Sequence, residues 1–478
     1  MSKLTVDCLN DIFEYLDDPV TLYSCLFVNR LWCKISVRIY WNNIRNYYTL
    51  IICLPNESKE ILYNKKIFAQ PLTSKLPMFN YASFCKVLSI KKLYFAIGNL
   101  LYEQQELREN QFEFILFQDK FVNIALQEIY KLLMKTSSIR KLDFPYLPDQ
   151  NVILFTSYIG ARDCLKDLSE LFCDSNVYSE FFYQLSQLCH NIQFFEITFR
   201  EVTSSGLIDL ISVQKNLKSL KLFLTHDCDC LTADIIESFT KNSSTVIMFH
   251  IYGYGGSRGE NRTPLSFISN FINLQKLTFS YCDDKLFEGF NQLQNVTFPN
   301  LQQLKFKDCD LPRNELLLNF LMNNGKNLKQ LHINKSNYSI NIAIIKYCPN
   351  LRKLFTGLTN KELETLKMFL ENFEHLEYIK ICCEGYLSEK ILLDVIFTFS
   401  PKNFHILKLC YSYNTRSVLQ PNELESFFIN WAKREPQKSL SLIIFNKKAY
   451  TFIEDDENKK IIDKYVKLGV IKFFVHYD

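Results

Sequence analysis

A short pattern of apolar and polar residues recurs along most of the chain. Apolar residues occupy positions one, four and six of the motif apolar-x-x-apolar-x-apolar, and an asparagine often precedes the first of them. Positions four and six alternate with an outward-facing residue, as in a short β-strand. Copies of the motif begin at Ile139, Leu165, Ile192, Leu217, Val246, Leu274, Leu301, Leu328, Leu351, Leu376, Phe404 and Leu440.

The spacing of the copies indicates leucine-rich repeats. It ranges from 23 residues (Leu328 to Leu351) to 36 residues (Phe404 to Leu440), and a period in the twenties is typical of that repeat. The intervening segments, such as residues 315–324, have an apolar pattern that suits a helix. One strand and one helix cannot bury their own apolar faces, so neighbouring repeats must stack. The sequence therefore predicts an α/β solenoid with a curved parallel sheet inside and helices outside.

A denser apolar pattern precedes the repeats. Residues at helical spacing predict a first helix from about residue 5 to residue 16, and they are Leu9, Ile12, Phe13 and Leu16. Asp18-Pro19 predicts the start of a second helix, and Trp32 lies in a third. A unit of roughly 40 residues is near the lower limit for folding alone. The three helices therefore either pack on the repeats or offer an apolar face to a partner.

These observations divide the chain into three predicted regions. Residues 1–45 form the three-helix unit, and residues 46–135 form divergent first repeats that cap the solenoid. Residues 136–478 form the leucine-rich-repeat solenoid, and the segment 457–478 supplies its last helix and edge strand as a C-terminal cap. Capping is expected because an open end would expose the core.

The N-terminal segment, over roughly residues 2–44, resembles the F-box family. Leu4 stands at the family's opening leucine, and Thr5 stands where the family has proline. The matching positions, which the resemblance implies bind a Skp-type adaptor, are Leu4, Thr5, Leu9, Ile12, Phe13, Leu16, Leu22, Val28 and Trp32. An F-box in front of leucine-rich repeats is itself a known family architecture.

The resemblance implies a function without catalysis on this chain. F-box proteins are substrate receptors of Skp–cullin–F-box ubiquitin ligases: the F-box contacts the adaptor, and through it the cullin and RING subunits, while the C-terminal domain captures a protein for ubiquitination. The alternative is a leucine-rich-repeat interaction scaffold whose N-terminal helices only cap the solenoid and bind no ligase.

The concave sheet face is the expected binding surface. The residue between positions four and six should point outward, which gives the row Lys221, His250, Thr278, Lys305, His332, Phe355, Lys380, Lys408 and Ile444, flanked by Lys276, Lys307 and Asn334. The row contains no acidic residue. Two interpretations stay open: it binds an acidic or phosphorylated segment of a target protein, or it is a solvated face, since lysine is commonly exposed. The predicted substrate-binding residues are Lys221, Lys276, Lys305, Lys307, His332, Lys380 and Lys408.

Charge and composition narrow the partners and the compartment. The 478 residues include 55 basic and 51 acidic ones, for a net charge of +4. This near balance gives no whole-chain reason to expect nucleic acid or a membrane surface. The acidic first 18 residues are unlike a secretory signal, and no apolar run is long enough for a spanning helix. We therefore expect a cytoplasmic or nuclear protein whose 16 cysteines are mostly reduced core residues.

Motifs for cofactors or catalysis are weak. His226, Cys228 and Cys230 lack a second pair of ligands, so a strand-to-helix loop is favoured over a metal site. The glycine-rich loop 252–262 lacks the lysine and hydroxyl residue of a phosphate-binding loop, which favours a contact loop over a nucleotide site. The chain has no G-x-S-x-G or H-E-x-x-H motif. We expect no enzyme activity and no cofactor.

Overall fold

The structure, a computed structural model, describes most of the chain. The described residues are 5–16, 18–68, 72, 75, 77–103, 111–145, 154–225, 231–253, 265–334, 336–359, 362–383, 386–387, 389–411, 415–436, 438–446 and 450–477. Leu4, the motif at 226–230 and residues 254–262 of the glycine-rich loop lie outside them. The chain forms two compact units, which are Met1–Leu222 with Thr232–Thr245, and Phe223–Leu231 with Val246–Asp478.

Unit one begins with helices and continues as alternating strands and helices. Its helices are α1 (Val6–Glu14), α2 (Pro19–Cys25), α3 (Arg30–Tyr40), α4 (Tyr47–Ile52), α5 (Asn56–Asn64), α6 (Ile90–Glu103), α7 (Gln111–Thr136), α8 (Ala161–Leu165), α9 (Ser179–Leu188), α10 (Ser205–Ser212) and α11 (Ala233–Thr240). Its strands are β1 (Val87–Ser89), β2 (Lys141–Phe144), β3 (Glu170–Asp174), β4 (Phe194–Phe199) and β5 (Ser219–Leu224), the last two residues of which belong to unit two. The strands lie side by side in chain order.

Unit two repeats the same strand-and-helix alternation. Its strands are β6 (Met248–Tyr252), β7 (Lys276–Ser280), β8 (Gln303–Lys307), β9 (Gln330–Ile333), β10 (Lys353–Thr359), β11 (Tyr378–Cys383), β12 (Tyr386–Leu387), β13 (Ile406–Tyr411), β14 (Arg416–Ser417), β15 (Leu440–Asn446) and β16 (Ile471–Tyr477). Its helices are α12 (Asp284–Phe287), α13 (Asn314–Asn324), α14 (Tyr338–Tyr347), α15 (Leu363–Asn372), α16 (Glu389–Phe399), α17 (Pro421–Ala432) and α18 (Asp456–Lys467). The strands follow chain order in one sheet, except that β12 and β14 form a separate pair.

The core of each unit is built from alternate strand residues. In unit two, Leu304 lies beside Leu277 and Leu331 in parallel register, and all three side chains are fully buried. Helix residues such as Leu317 and Phe320 of α13 are buried as well. This one-sided burial of a parallel sheet and its helices confirms the predicted α/β leucine-rich-repeat solenoid.

Two repeat copies start at a different residue from the one predicted. Leu171 of β3 pairs with Leu142 of β2, so this copy begins at Leu168 and the prediction of Leu165 is wrong. In β15, Leu442 pairs with Leu407, so the copy begins at Ser439 and the prediction of Leu440 is wrong. The apolar run of β15 fits positions four and six of the motif in two registers, and only pairing with β13 selects one of them.

Polar side chains at fixed repeat positions join one repeat to the next. The amide of Asn300 donates to Oδ1 of Asn273 at 3.3 Å, and that of Asn327 donates to the carbonyl of Pro299 at 2.8 Å. The thiol of Cys282, eight residues after Leu274, donates to the carbonyl of Ile251 at 3.8 Å. Burial raises the pKa of this thiol to about 12, so it remains a donor at neutral pH. The asparagine that precedes many copies therefore has a structural explanation.

Asn324 performs a related role inside unit two. It is buried at the end of α13, where its Oδ1 accepts from the backbone N–H of Phe298 at 2.6 Å and its Nδ2 donates to the carbonyl of Val296 at 2.8 Å. The segment between β7 and β8 contains little regular helix, so a side chain replaces the hydrogen bonds that a helix would supply.

Replacing Asn324 by alanine should lower the free energy of unfolding by about 2–4 kcal/mol, because two buried backbone groups lose their partner. Urea unfolding followed by circular dichroism would measure the change. The control is Met322→Ala on the same helix, where an exposed side chain is removed and the change should stay below about 0.5 kcal/mol. Equal effects of the two substitutions would contradict this role of Asn324.

Candidate functional site

The N-terminal helices α1, α2 and α3 enclose a small core of their own. Leu9 and Phe13 of α1 and Leu22 of α2 are buried, together with Cys25 and Ile35. Leu16 and Trp32 pack against this core and are partly buried, and the Trp32 ring lies edge-on to the Phe13 ring at 4.9 Å. Three of the residues that match the F-box pattern, Leu9, Phe13 and Leu22, therefore lie inside the unit rather than on its surface.

Each of the three helices has a side-chain cap. The hydroxyl of Thr5 accepts a hydrogen bond from the backbone N–H of Cys8 at 3.3 Å. The carboxylate of Asp18 accepts from the backbone of Thr21, and the amide oxygen of Asn29 accepts from that of Trp32. Thr5 therefore caps α1, which a proline side chain could not do, because proline has no side-chain oxygen.

A second group of apolar residues on these helices is exposed. Ile12 and Val28, which match the F-box pattern, are about half exposed, and Phe27 is 73% exposed. Val20, Tyr23 and Phe27 follow a helical spacing of three and four residues, and the Tyr23 and Phe27 rings lie 5.2 Å apart. We refer to the exposed apolar residues between positions 12 and 31 as the N-terminal apolar set, which comprises Ile12, Tyr15, Val20, Tyr23, Phe27, Val28 and Leu31.

Most of this set lies outside the residues predicted from the sequence. The F-box pattern contains Ile12 and Val28 but not Tyr15, Val20, Tyr23, Phe27 or Leu31. The sequence did contain a sign of this exposed set, since these five residues are large and apolar but do not fall at the helix positions that form the core. It became visible only when the packing of three helices fixed which positions were already buried.

The parallel register of unit two aligns the predicted row of outward residues. Thr278 pairs with Lys305, Lys305 pairs with His332, and His332 pairs with Phe355. The row begins at His250 on β6 and continues through Lys380 to Lys408. Lys408 then pairs with Ile443 rather than with Ile444. Ile444 is fully buried, so its prediction as an outward residue is wrong. The cause is the one-residue shift in the start of the β15 copy, which exchanges buried and outward positions.

The strands of unit two contain basic residues and no acidic ones. The strands β6 to β16 contain no aspartate or glutamate. We refer to their central lysines as the basic strip, which comprises Lys276, Lys305, Lys307, Lys353, Lys380 and Lys408. Within the described ranges, the salt bridges of unit two join other residues, such as Arg352 with Glu377, and none of them includes a lysine of the strip.

Lys305 lies at the centre of a cluster of like charges. Burial lowers the pKa of its ammonium, and the ammonium groups of Lys307, Lys276 and Lys353 lower it further. Lys353 was missing from the sequence prediction, although it precedes its row residue by two positions, as Lys276 does. The positive charges of these three neighbours disfavour protonation of the Lys305 amine. A bound anion would relieve the repulsion among the ammonium groups.

The two remaining lysines of the basic strip, Lys380 and Lys408, contact aromatic rings. The ammonium of Lys380 lies 4.6 Å from the centre of the Phe355 ring, and that of Lys408 lies 4.9 Å from the Phe445 ring. The His332 ring stacks on Phe355 at 4.1 Å and hydrogen-bonds to Asn334 at 3.0 Å. Burial lowers the pKa of His332 to about 4, so this residue is neutral at pH 7. The positive charge of the strip comes from lysine alone.

The outward surface of unit one differs from the basic strip, because its charges are paired within the sheet. Lys221, which the sequence placed in the substrate-binding row, lies 3.4 Å from the carboxylate of Glu196. Lys141 pairs with Glu170 at 3.2 Å, and Arg200 pairs with Asp174 at 2.7 Å. An acidic ligand would have to compete with these carboxylates in unit one, whereas the lysines of the basic strip form no salt bridge within the described ranges.

Other kinds of site find little support in the part of the chain that the structure describes. No three histidine, cysteine, aspartate or glutamate side chains there come together as a potential metal site. No helix within the same ranges combines the length and the apolar character needed to cross a bilayer. Two interaction surfaces remain as candidates, namely the N-terminal apolar set in unit one and the basic strip in unit two.

Comparison with known proteins yields distant structural likenesses. No family model matches the chain, and no curated protein matches it. A chain in the crystal structure of the Rad7 and Elc1 complex from yeast is 15% identical, with a TM-score of 0.37, over 75% of this chain and 92% of that one. An LRR protein from Leptospira interrogans is 13% identical, with a TM-score of 0.26, over 70% of this chain and 95% of that one. Both TM-scores are low, so the fold assignment depends on the strand order and register described above.

The pKa of His332 predicts a pH dependence of stability. In the unfolded chain histidine titrates near pH 6.5, whereas in the folded chain His332 titrates near pH 4. Because the unfolded chain binds the proton first, His332 should lower the stability as the pH falls from about 6.5 to 4, by at most about 1.4 kcal/mol per pH unit. The variant His332→Gln should show a shallower decrease in urea unfolding over this range. The control His375→Gln removes an exposed histidine, and an identical pH profile for both variants would contradict the prediction.

Proposed function

We propose that the protein is a substrate-binding adaptor of a Skp–cullin–F-box ubiquitin ligase. In this proposal α1, α2 and α3 bind a Skp-type adaptor, and through it the cullin and RING subunits. The repeats of unit two capture the protein to be ubiquitinated. The observation that carries the proposal is the N-terminal apolar set, which remains exposed although the three helices already have a closed core.

The exposure of this set is not explained by folding. Removing apolar surface from water contributes about 25 cal/mol per Å², so large exposed side chains gain free energy only when a partner covers them. Single exposed apolar residues are ordinary, but a concentration of them indicates an interaction surface. Here seven large apolar residues are exposed between positions 12 and 31. The F-box resemblance of the same segment supports a Skp-type adaptor as the partner.

The basic strip supports the second half of the proposal. Its lysines have no carboxylate partner among the described residues, and those around Lys305 repel one another. An acidic or phosphorylated segment of a target would supply the missing negative charge through charge-assisted hydrogen bonds. Nucleic acid is a less suitable ligand, because the ring of Phe355 already stacks on His332 and Tyr378 and cannot also receive a base.

A leucine-rich-repeat scaffold without ligase association is the second candidate. It is favoured by contacts of the two residues that follow α3 with the first strand of unit one and with the segment that precedes this strand. The Trp41 ring, directly after α3, lies 4.5 Å from the Tyr81 ring, and the carbonyl of Asn42 accepts from the backbone N–H of Val87. These contacts suit a cap on the repeats. They leave the N-terminal apolar set exposed, and for this reason we prefer the adaptor.

Charging two exposed residues of the apolar set should abolish adaptor binding without unfolding the helices. The variant carries Ile12→Asp and Phe27→Asp, and its affinity for a purified Skp-type adaptor should fall about tenfold or more, as expected when two central contacts are lost. Co-purification and calorimetry would measure binding, and circular dichroism would confirm an unchanged fold. Buried Leu9 and Phe13 are unsuitable for this test because their substitution would disrupt the core.

The matched control places the same change elsewhere. Ile272→Asp introduces a carboxylate at an exposed isoleucine of unit two and should leave adaptor binding intact. If the unmodified chain does not bind the adaptor, or if the double variant binds as well as the control, the scaffold is the correct function.

Reversing two charges of the basic strip should weaken the binding of an acidic peptide. Lys305→Glu with Lys380→Glu changes the charge at the centre of the strip by four. We expect the affinity for a fluorescent peptide rich in glutamate and phosphoserine to fall about tenfold or more at an ionic strength of about 0.15 M. Fluorescence anisotropy would measure it, with a glutamine-substituted peptide as the neutral reference.

The control variant must carry the same change of net charge. Lys326→Glu with Lys433→Glu alters two exposed lysines outside the strands and should change the affinity by less than about twofold, since exposed charges at long range are screened. Equal losses in the two double variants would show that net charge, and not the basic strip, attracts the peptide.

A further inference from the structure

We propose that Lys305 is an acylation site for acyl thioesters whose carrier bears phosphate groups, such as an acyl-coenzyme A. The neighbouring lysines would hold the phosphates of the carrier while the amine of Lys305 receives the acyl group. The chemistry of this site is independent of the proposed function. Only its consequence, a change in target capture, rests on that function.

The sheet places the required groups around Lys305. Lys307 follows two residues later on β8 and projects from the same side of the strand, at a distance of about 7 Å along it. Lys276 on β7 and Lys353 on β10 also point to this side, because their register positions differ from that of Lys305 by two residues. Lys305 is half-buried between them, and its flanking row neighbours Thr278 and His332 are both uncharged at pH 7.

Acylation requires a neutral amine, and this environment favours one. Burial lowers the pKa of Lys305, and the three neighbouring ammonium groups lower it further. Unit one differs, because Lys221 forms an ion pair with the carboxylate of Glu196 at 3.4 Å, whereas Lys305 has no salt bridge among the described residues. The three neighbouring ammonium groups therefore increase the share of the reactive form at Lys305.

The same cluster suits the carrier. Lys276, Lys307 and Lys353 present ammonium groups to a phosphorylated carrier, and hydrogen bonds between ammonium and phosphate are among the strong ones in proteins. Binding of the carrier would raise the local concentration of the thioester next to the amine.

The chemical step needs no further reactant. The lone pair of the neutral amine attacks the carbonyl carbon of the thioester and forms a C–N bond. The C–S bond then breaks, the carrier leaves as a thiolate, and this thiolate takes up the proton that the nitrogen releases. The products are an amide at Lys305 and the free thiol of the carrier. The amide carries no charge, so the centre of the basic strip loses one positive charge.

The experiment incubates the full chain with acetyl-coenzyme A at pH 7.5 and follows each lysine by mass spectrometry. Lys305 should be acetylated about three- to tenfold faster than Lys326, an exposed lysine outside the strands, since the neighbouring ammonium groups favour the neutral amine at Lys305 and hold the phosphates of the carrier next to it. Equal rates at Lys305 and Lys326 would overturn the proposal.

Two variants identify the cause of the higher rate. Lys276→Gln with Lys353→Gln should slow the acetylation of Lys305 about fourfold, because it removes two of the three neighbouring charges. The matched control Lys346→Gln with Lys433→Gln, which removes one charge from α14 and one from the residue that follows α17, should leave the rate unchanged. An equal effect of both pairs would overturn the role of the cluster.

A second reagent tests the site for the carrier. A neutral acetyl thioester without phosphate groups should still favour Lys305 over Lys326, but by a smaller ratio than acetyl-coenzyme A does. Equal ratios for the two reagents would overturn the claim that the lysines hold the carrier. All of these rates are measured without adaptor or target, so they do not depend on the proposed ligase function. Likewise, slow acetylation of Lys305 would overturn this proposal without affecting the adaptor-binding test of that function.

Discussion

The parallel register between neighbouring strands is the constraint on which the rest of this structure depends. Side chains alternate across a strand, so a shift of one residue exchanges the buried and the exposed sets. In unit two the register that buries Leu277, Leu304 and Leu331 also brings Thr278, Lys305 and His332 side by side on the opposite surface. The basic strip is therefore a direct consequence of how the leucine core is aligned.

The strip also shows how a stable core tolerates an unfavourable surface. Repulsion among Lys276, Lys305 and Lys307 opposes folding, but it is weak in water compared with the burial of a leucine in each strand. Part of the remaining charge is stabilised locally, as in the contact of Lys380 with the Phe355 ring. On the outward surface of unit one, positive charge is instead compensated by a neighbouring carboxylate, as in the pair of Lys221 with Glu196. The two surfaces differ in electrostatics although they share one repeat.

Much of this organisation could be predicted from the sequence, because a repeat tests its own period many times. The strand positions and the row from His250 to Lys408 follow from that period alone. The register of β15 could not be predicted, since its apolar run fits two alignments and only pairing with β13 excludes one. The N-terminal helices pose a different difficulty. Helical spacing identified Leu9 and Phe13 as apolar, but it could not show that they are buried while Phe27 is exposed.

This last distinction changes how the resemblance to F-box proteins should be interpreted. Residues that define a family pattern include those that hold the fold together, and here Leu9, Phe13 and Leu22 belong to that class. A partner can contact only what the fold leaves outside, and on these helices that surface includes the N-terminal apolar set. Thr5 supports the same reasoning, because its hydroxyl caps α1 and so maintains the helix on which Ile12 is presented. The matched pattern thus explains the shape of the unit, and the exposed residues determine what it can bind.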